Sequence, residues 1–390
     1  MAMVDMRDLL QHAYSNRYAV GAFEIVSLDF LQAIIEAAET ARSPVILNIV
    51  EPHFGLYDLD LLMTATIRAA KRASVPVAVH MDHCSSLETV QTAMRLGCNG
   101  VKLDAASESF PVNVQRTREV VDMAHAWGIP VEGEIGYVTG MSREDSESNS
   151  DVPVYTHVEE AKAYIEKTGV DFLAVSIGTV HGRVKGKPRL DYTRLARIQE
   201  KFSIPCVIHG GTGLGEQQYR KLIDHGVAKI NYFTALAETN AKQLEANLKN
   251  KEMSYQQVFA DVREKLSEEV KHHMQVLNSA GRAAEVLMQC RSWRNVENVI
   301  CYNPDTEDQG LIEEMLTKGQ QDLIQIPGVL NVEIGRSIDS NSQYNYCWLV
   351  SVANEEVLKS YKAHPIYENY TKKVSMGITV NDFEILDAVS

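Results

Sequence analysis

The sequence predicts a (β/α)8 barrel followed by a smaller, ferredoxin-like α+β domain. Eight short Val- and Ile-rich runs recur over the first 231 residues, segments of helical period lie between them, and polar residues stand at the carboxyl ends of many runs. The chain has 390 residues, more than a usual single domain. A barrel of about 250 residues with about 100 more accounts for that length. The expected domains are 1–290 and 291–390.

The apolar runs are 19–23, 45–50, 76–80, 100–104, 130–134, 171–177, 204–209 and 227–231. They lack strict alternation, as strands buried on both faces do. Pro76, Pro130 and Pro205 fall before or at strand starts, where proline interrupts no central ladder. Helical period is expected at 29–41, 58–73, 87–96, 112–127, 158–168 and 191–199, with Asp29 as a cap or first-turn acid. A doubly wound sheet is the competing fold; the many polar strand ends favour the barrel. Helical stretches are expected at 233–249 and 254–288. The texture changes near Arg291. A strand at 296–302, a helix at 308–326, strands at 329–334 and 344–352, a helix at 355–363 and a strand at 374–386 follow. That β-α-β-β-α-β order predicts the ferredoxin-like plan.

Composition narrows the function. Lys+Arg 38 against Asp+Glu 52 gives a formal net charge of -14, which argues against wrapping a nucleic-acid backbone. It leaves room for a local pocket for a phosphorylated metabolite. The six cysteines form no CxxC pair, so a reducing compartment is expected. No run of 18 apolar residues occurs and the N-terminal stretch lacks an apolar signal core. A cytoplasmic location without membrane anchoring is the expectation.

In a barrel the carboxyl ends of the strands converge on one mouth. There the third strand ends in His80-Met81-Asp82-His83, the fourth in Asp104, and the fifth carries Glu132 and Glu134. The sixth leads to His181-Gly182, the seventh to His209-Gly210-Gly211-Thr212-Gly213, and the eighth to Asn231. A lone histidine is more often a satisfied core or surface group, as expected for His12, His125, His157, His225, His272 and His273. His83, His181 and His209 each close a different strand. Three neutral imidazoles with one open position suit a catalytic zinc ion. Asp104 and Glu134 are candidates for a second or alternative metal position. Asp82, beside His83, is placed to exchange a proton with a substrate oxygen, or else to partner a ligand histidine. Glu132 shares a strand face with Glu134 and is placed to orient a ligand histidine. The glycine-rich loops after the sixth and seventh strands, with Thr212 and Thr234, suit phosphate.

The motifs HMDHC, VEGEIG, AVSIGTVHGRVKG, VIHGGTGL and KINYFT, over about residues 1–285, resemble the class II, metal-dependent fructose-bisphosphate and tagatose-bisphosphate aldolases. The resemblance implies a zinc-dependent barrel enzyme, homodimeric or homotetrameric. It would reversibly cleave a ketose phosphate to dihydroxyacetone phosphate and an aldehyde. By motif, Asp82 resembles the proton-exchanging acid and His83, His181 and His209 the zinc ligands. Asp104 and Glu134 resemble the alternative divalent site, and Glu132 the buried helper carboxylate. Gly182, Lys185, Gly211 and Thr212 resemble groups around the phosphate and a monovalent cation. Asn231 resembles the residue touching the enediolate, and Thr234 a phosphate contact. The mobile-loop glutamate is expected within 137–150, at Glu144.

The departures gather on the aldehyde side. GAFEIVS stands for the common GAFNVNN, so Glu24 replaces an amide. Asn48 and Val50 stand for Gln and Ser, Asp104-Ala105-Ala106-Ser107 for DGSH, and Phe233 for a small or acidic residue. The far end of the substrate is expected at Glu24, Asn48 and His53, where a carboxylate disfavours a second phosphate. An aldolase-like barrel acting as an epimerase, lyase or hydrolase on another sugar phosphate is the alternative enzyme. A non-catalytic assembly protein is the alternative of another class. The tail, about 293–387, resembles the stress-responsive A/B barrel through IPGVLNVEIGRS and SVANEEVLKSYKAHPIYENY, which implies a dimerisation module.

Overall fold

The computed structural model describes residues 2–136, 138, 155–182, 189–249, 254–373 and 379–384. Among the described residues, eight parallel strands close into a barrel in chain order. They are β1 (Val20–Glu24), β2 (Val45–Val50), β3 (Val77–Cys84), β4 (Gly100–Leu103), β5 (Val131–Ile135), β6 (Phe172–Val175), β7 (Cys206–Ile208) and β8 (Val227–Tyr232). Closure comes from β8 pairing back on β1, with Val20 opposite Lys229 and Ala22 opposite Asn231. Almost every strand residue is buried, which is why the runs do not alternate.

Helices alternate with the strands: α1 (Met6–Ser15), α2 (Leu28–Ala41), α3 (Leu59–Arg72), α4 (Leu87–Arg95), α5 (Phe110–His125), α6 (Val158–Thr168), α7 (Tyr192–Lys201), α8 (Glu216–Asp224) and α9 (Thr234–Leu248). Their starts follow capping chemistry. Ser27 accepts from the Phe30 N–H, Asp58 from the Leu61 N–H and Asp191 from the Arg194 N–H. Asp29 is the first-turn acid of α2 and Ser27 is its cap.

Two helices of the barrel unit were not expected. In α1, Asp5 caps the Arg7 N–H, and Leu9, Leu10 and Ala13 are buried. In α8 only Tyr219, Leu222 and Ile223 are buried, a narrow stripe in a charged segment. The single helix expected over 254–288 is three: α10 (Tyr255–Val258), α11 (Val262–Val276) and α12 (Ala283–Gln289). Left-handed backbone at Asp261 separates the first two, and at Asn278 and Gly281 the last two.

The chain divides into two compact units, one of Met1–Val90, Cys98–Val121 and Pro130–Ser292, the other of Gln91–Gly97, Asp122–Ile129 and Trp293–Ser390. The first keeps Arg291 and Ser292, beyond the boundary read at 290. The Arg291 guanidinium bonds Asp5 and Asp8, the Arg291 carbonyl accepts from the Asp5 N–H, and Ser292 bridges Val4.

In the second unit β9 (Val296–Tyr302), α13 (Gln309–Leu323), β10 (Val329–Arg336), β11 (Tyr346–Val352), α14 (Glu355–Lys362), α15 (Pro365–Lys373) and β12 (Thr379–Glu384) follow in order. The antiparallel sheet runs β10-β11-β9-β12, the split βαβ arrangement. Helix α15 was not expected; Pro365 opens it at the first position, where proline's missing N–H costs nothing. Trp348 stacks on Tyr302 in this unit's own core with Leu316, Leu323 and Tyr361.

Candidate active site

Strand β3 delivers two consecutive functional residues to the mouth. Neighbours in a strand normally face opposite ways. Here His83 takes φ 54, and the β3–β4 register shifts between Met81 and Cys84. Such backbone is uncommon for a non-glycine residue and is held by its surroundings. It brings Asp82 and His83 into one cluster. The His83 N–H donates to Asp82 Oδ1 at 2.9 Å.

His83, His181 and His209 come together from β3, the loop after β6 and the end of β7. Their ring centroids lie 5.4, 5.0 and 5.8 Å apart pairwise. One nitrogen from each ring lies within 4.8 Å of the other two. The second nitrogen of each is engaged, which sets the tautomer. His83 Nδ1 donates to Asp104 at 3.0 Å, His181 Nδ1 to the Val138 carbonyl at 3.1 Å, and His209 Nε2 to Glu132 at 2.8 Å. His181 Nε2 and His209 Nδ1 are left buried with no hydrogen-bond partner. Two buried lone pairs facing a third imidazole fit a zinc-class ion.

Burial pushes the His209 imidazole down to about 3 and His181 well below its ordinary value, so both are neutral. Burial and Lys102 push His83 down as well, but Asp82 and Asp104 outweigh them and raise it. A metal ion binding at His83 competes with a proton there.

Beneath the histidines lies a buried charge network. Asp82 Oδ2 accepts from the Asn231 amide at 2.8 Å and the Asn48 amide at 3.1 Å, with Lys229 Nζ 3.5 Å away. Burial opposes ionisation of Asp82, but His83, Lys229, His209 and Lys102 together hold its carboxyl well below the usual range. Glu132 accepts from His209 through one oxygen and from Lys229 at 2.7 Å through the other. Asn48 Oδ1 accepts from His80 Nδ1 at 2.9 Å. Both ends of the Asn48 amide thus bond neighbouring residues, and Asn48 is fully buried.

Asp104 and Glu134 do converge, on a residue that sequence reasoning missed. Lys102 forms ion pairs with Asp104 and, at 2.9 Å, with Glu134. Lys229 was missed too. The available signal was a lysine inside each of two otherwise apolar strand runs, two residues before a recognised site residue and so on the same face.

Above the network is a cavity of about 220 Å³ lined by Glu24, Pro52, His53, His181, Gly182, Gly210, Gly211, Thr212, Asn231, Phe233 and Thr234. Glu24 and His53 stand together, His53 Nδ1 lying 3.8 Å from the Glu24 carboxylate. Burial raises the Glu24 carboxyl to about 7. The Phe233 ring packs 5.0 Å from His53. Gly182, Gly211, Thr212 and Thr234 line this cavity together, beside the N-terminus of α9. Thr212 Oγ1 accepts from the Ala235 N–H at 3.4 Å, and the Gly211 N–H is spent on the Asn231 carbonyl. Gly210 has to be glycine: at φ 68 its Cβ would lie 2.0 Å from the Val180 carbonyl oxygen. Glu144 and Lys185 lie outside the described residues.

Residues 4–282 match the family described as fructose-bisphosphate aldolase class-II. The chain is 38% identical over 301 residues to a fructose-bisphosphate aldolase of Thermus caldophilus, covering 71% of this chain and 98% of that protein. It is 35% identical over 288 residues to a probable fructose-bisphosphate aldolase of Bacillus subtilis, covering 73% and 100%. Among solved structures it resembles the YdjI aldolase of Escherichia coli K12, with a TM-score of 0.65 and 30% identity over 72% of this chain and 99% of that one. Among the described residues no helix is long and apolar enough to cross a membrane. With its closed parallel barrel and its three-histidine cluster at the strand ends, the chain belongs to the class II fructose-bisphosphate aldolases, a family of metal-dependent carbon–carbon lyases.

Proposed function

We propose that this protein is a zinc-dependent ketose-phosphate aldolase of the cytoplasm. It cleaves its substrate to dihydroxyacetone phosphate and an aldehyde whose far end is uncharged or carries an amine. The observation that carries this reading is the shared cavity: Glu24 lines the same space as the glycine loops and His181. One end is built for a phosphate and the other carries a carboxyl group.

His83, His181 and His209 would hold the ion, which supplies Lewis-acid polarisation of a carbonyl when bound. Asp82, ionised and next to that centre, accepts the proton of the C4 hydroxyl as the C3–C4 bond breaks. Asn48, Asn231 and Lys229 fix its carboxylate; Asn231 also lines the cavity, within reach of the developing enediolate oxygen. Glu132 positions His209 and is not itself at the reacting atoms. Glu144 returns a proton to the dihydroxyacetone carbon. The phosphate would lie at the N-terminus of α9 beside Gly182, Gly211, Thr212 and Thr234, where the helix dipole favours an anion, and Lys185 and a monovalent cation are proposed to accompany it. Glu24 and His53 take hydroxyls at the far end.

The test is a retro-aldol screen of ketose mono- and bisphosphates with each divalent metal, identifying both fragments by mass. A ketose 1-phosphate is expected to exceed fructose 1,6-bisphosphate in kcat/KM. A bisphosphate preference that Glu24→Asn leaves unchanged would refute the specificity argument and leave ordinary fructose-bisphosphate cleavage. Fragments of a different reaction would favour an epimerase, lyase or hydrolase. The unit beginning near residue 291 is read as an A/B-barrel dimerisation module within a homodimer or homotetramer. Truncation after Ser292, which keeps the Arg291 clasp on α1, is expected to change association state before it changes turnover. Loss of turnover with association intact would refute that.

A further inference from the structure

Lys102 has no place in the aldol chemistry described above, yet its ammonium is fully buried at the centre of the site. Burying an ammonium group is costly unless charges and hydrogen bonds surround it. Lys102 has that surrounding: Asp104 and Glu134 pair with it directly, His83 Nδ1 lies 3.4 Å away and Asp82 Oδ1 3.8 Å away. Such a nest of carboxylate oxygens, from three different strand ends, is what a hard divalent cation seeks.

We infer that the Lys102 ammonium stands in the place of a second divalent ion between Asp104 and Glu134, so that each chain holds one divalent ion, at His83, His181 and His209. The inference rests on the three-histidine reading of the metal centre.

Charge balance supports it. Asp82, Asp104, Glu132 and Glu134 bring four negative charges to the network, and Lys102 and Lys229 bring two positive ones. The remainder is minus two, which one divalent ion neutralises. A second divalent ion would have to sit against the Lys102 ammonium and leave the buried site with excess positive charge. Finally, Asp104 already has work. Both its oxygens lie 3.0 Å from His83 Nδ1, and Lys102 holds it there. Lys102 is therefore a positioning residue: through Asp104, which holds Nδ1, it directs His83 Nε2 toward the metal centre.

The experiment counts metal on the full-length protein. Wild type, Lys102→Met and Lys102→Gln are equilibrated with Zn²⁺, desalted and measured by inductively coupled plasma mass spectrometry. Methionine keeps an unbranched chain of similar length without the charge. One equivalent per chain is expected for wild type, rising to two in either neutral variant and returning to one in Lys102→Met/Glu134→Gln. With Mn²⁺, the neutral variants should show the spin–spin coupled electron paramagnetic resonance signal of a close pair, and wild type should not. Asp104→Asn and Glu134→Gln in the wild-type background should each keep one equivalent, which maintains the test if the lysine variants fail to fold. Two equivalents on wild type, or a single one on folded Lys102→Met, overturns the inference while leaving the aldolase reading standing. No retained metal on wild type overturns the three-histidine reading and this inference with it.

Discussion

Glu132→Gln tests whether the Glu132 carboxylate aims His209 at the proposed metal centre. The wild-type carboxylate accepts from His209 Nε2 at 2.8 Å and from Lys229 at 2.7 Å, with no exposure to solvent at any of the three side chains. Glutamine keeps the volume but offers one carbonyl oxygen. It can accept from His209 or from Lys229, not both, and its NH₂ then faces the other donor. The Lys229 ammonium also loses its nearest opposite charge, Asp82 remaining at 3.5 Å. Removing one partner of a buried ion pair costs about 3–5 kcal/mol. One retained hydrogen bond returns about 1 kcal/mol, so the expected loss is about 3 kcal/mol. At roughly 2–4 °C per kcal/mol for a domain this size, the metal-free melting temperature should fall by about 6–12 °C. Losing the partner that orients a ligand histidine should weaken metal affinity about 10–100-fold. Both are measurable, one by thermal melts of the metal-free protein, the other by competition with a fluorescent chelator. Adding Lys229→Met removes the stranded charge, so the double variant should recover part of the stability without recovering the affinity. Wild-type metal affinity in a folded Glu132→Gln protein would refute the claim that this carboxylate aims His209.

Four further outcomes are expected. Asp82→Asn should lower kcat by about 10²–10⁴-fold with one metal equivalent retained; metal loss in a folded variant would make Asp82 a structural partner of the ligands instead. Because burial raises Glu24 to about 7, its carboxyl is neutral at lower pH and charged above neutrality. The bisphosphate-to-monophosphate ratio of kcat/KM should therefore rise as pH falls from 8 to 6, beyond the change seen in Glu24→Gln, which supplies the baseline for the phosphate's own titration near pH ~6; parallel profiles would remove Glu24 from specificity. The same raised carboxyl favours the fold below its ordinary range and loses that contribution as pH rises through about 7, so Glu24→Gln should gain stability over wild type between pH 5 and 8, as read by melts. Glu144→Ala should slow solvent-proton exchange into dihydroxyacetone phosphate more than it weakens binding of that ligand, and wild-type exchange would move the role elsewhere.

The barrel was legible because its signals are local. Eight buried apolar runs at regular spacing, with caps such as Asp58 and Asp191 between them, specify strands and helices without knowledge of any partner. The polar strand ends then favour closure over a doubly wound sheet, and closure predicts that His83, His181 and His209 meet. The elements missed had weak local signals. The charged α8 shows only three buried positions, and α15 begins on a proline in a segment, 364–373, for which no element was expected. The breaks within 254–288 depend on left-handed residues at Asp261 and Asn278, neither of which is glycine.

What the sequence by itself determined, then, was a set of candidate polar residues and the end of the barrel where His83, His181 and His209 assemble. The tertiary structure decided what each one faces. Asn48 reads as a polar strand residue available to substrate, yet His80 and Asp82 consume its amide from a neighbouring strand. Asp104 and Glu134 read as carboxylates awaiting a metal, yet Lys102 lies between them. Asp82 and His83, neighbours that an ideal strand would point apart, share a site through a backbone turn at His83. Hydrophobic periodicity records which face of an element is buried. Pairing among buried polar groups depends on ångström distances between strands, and those exist only once the barrel has closed.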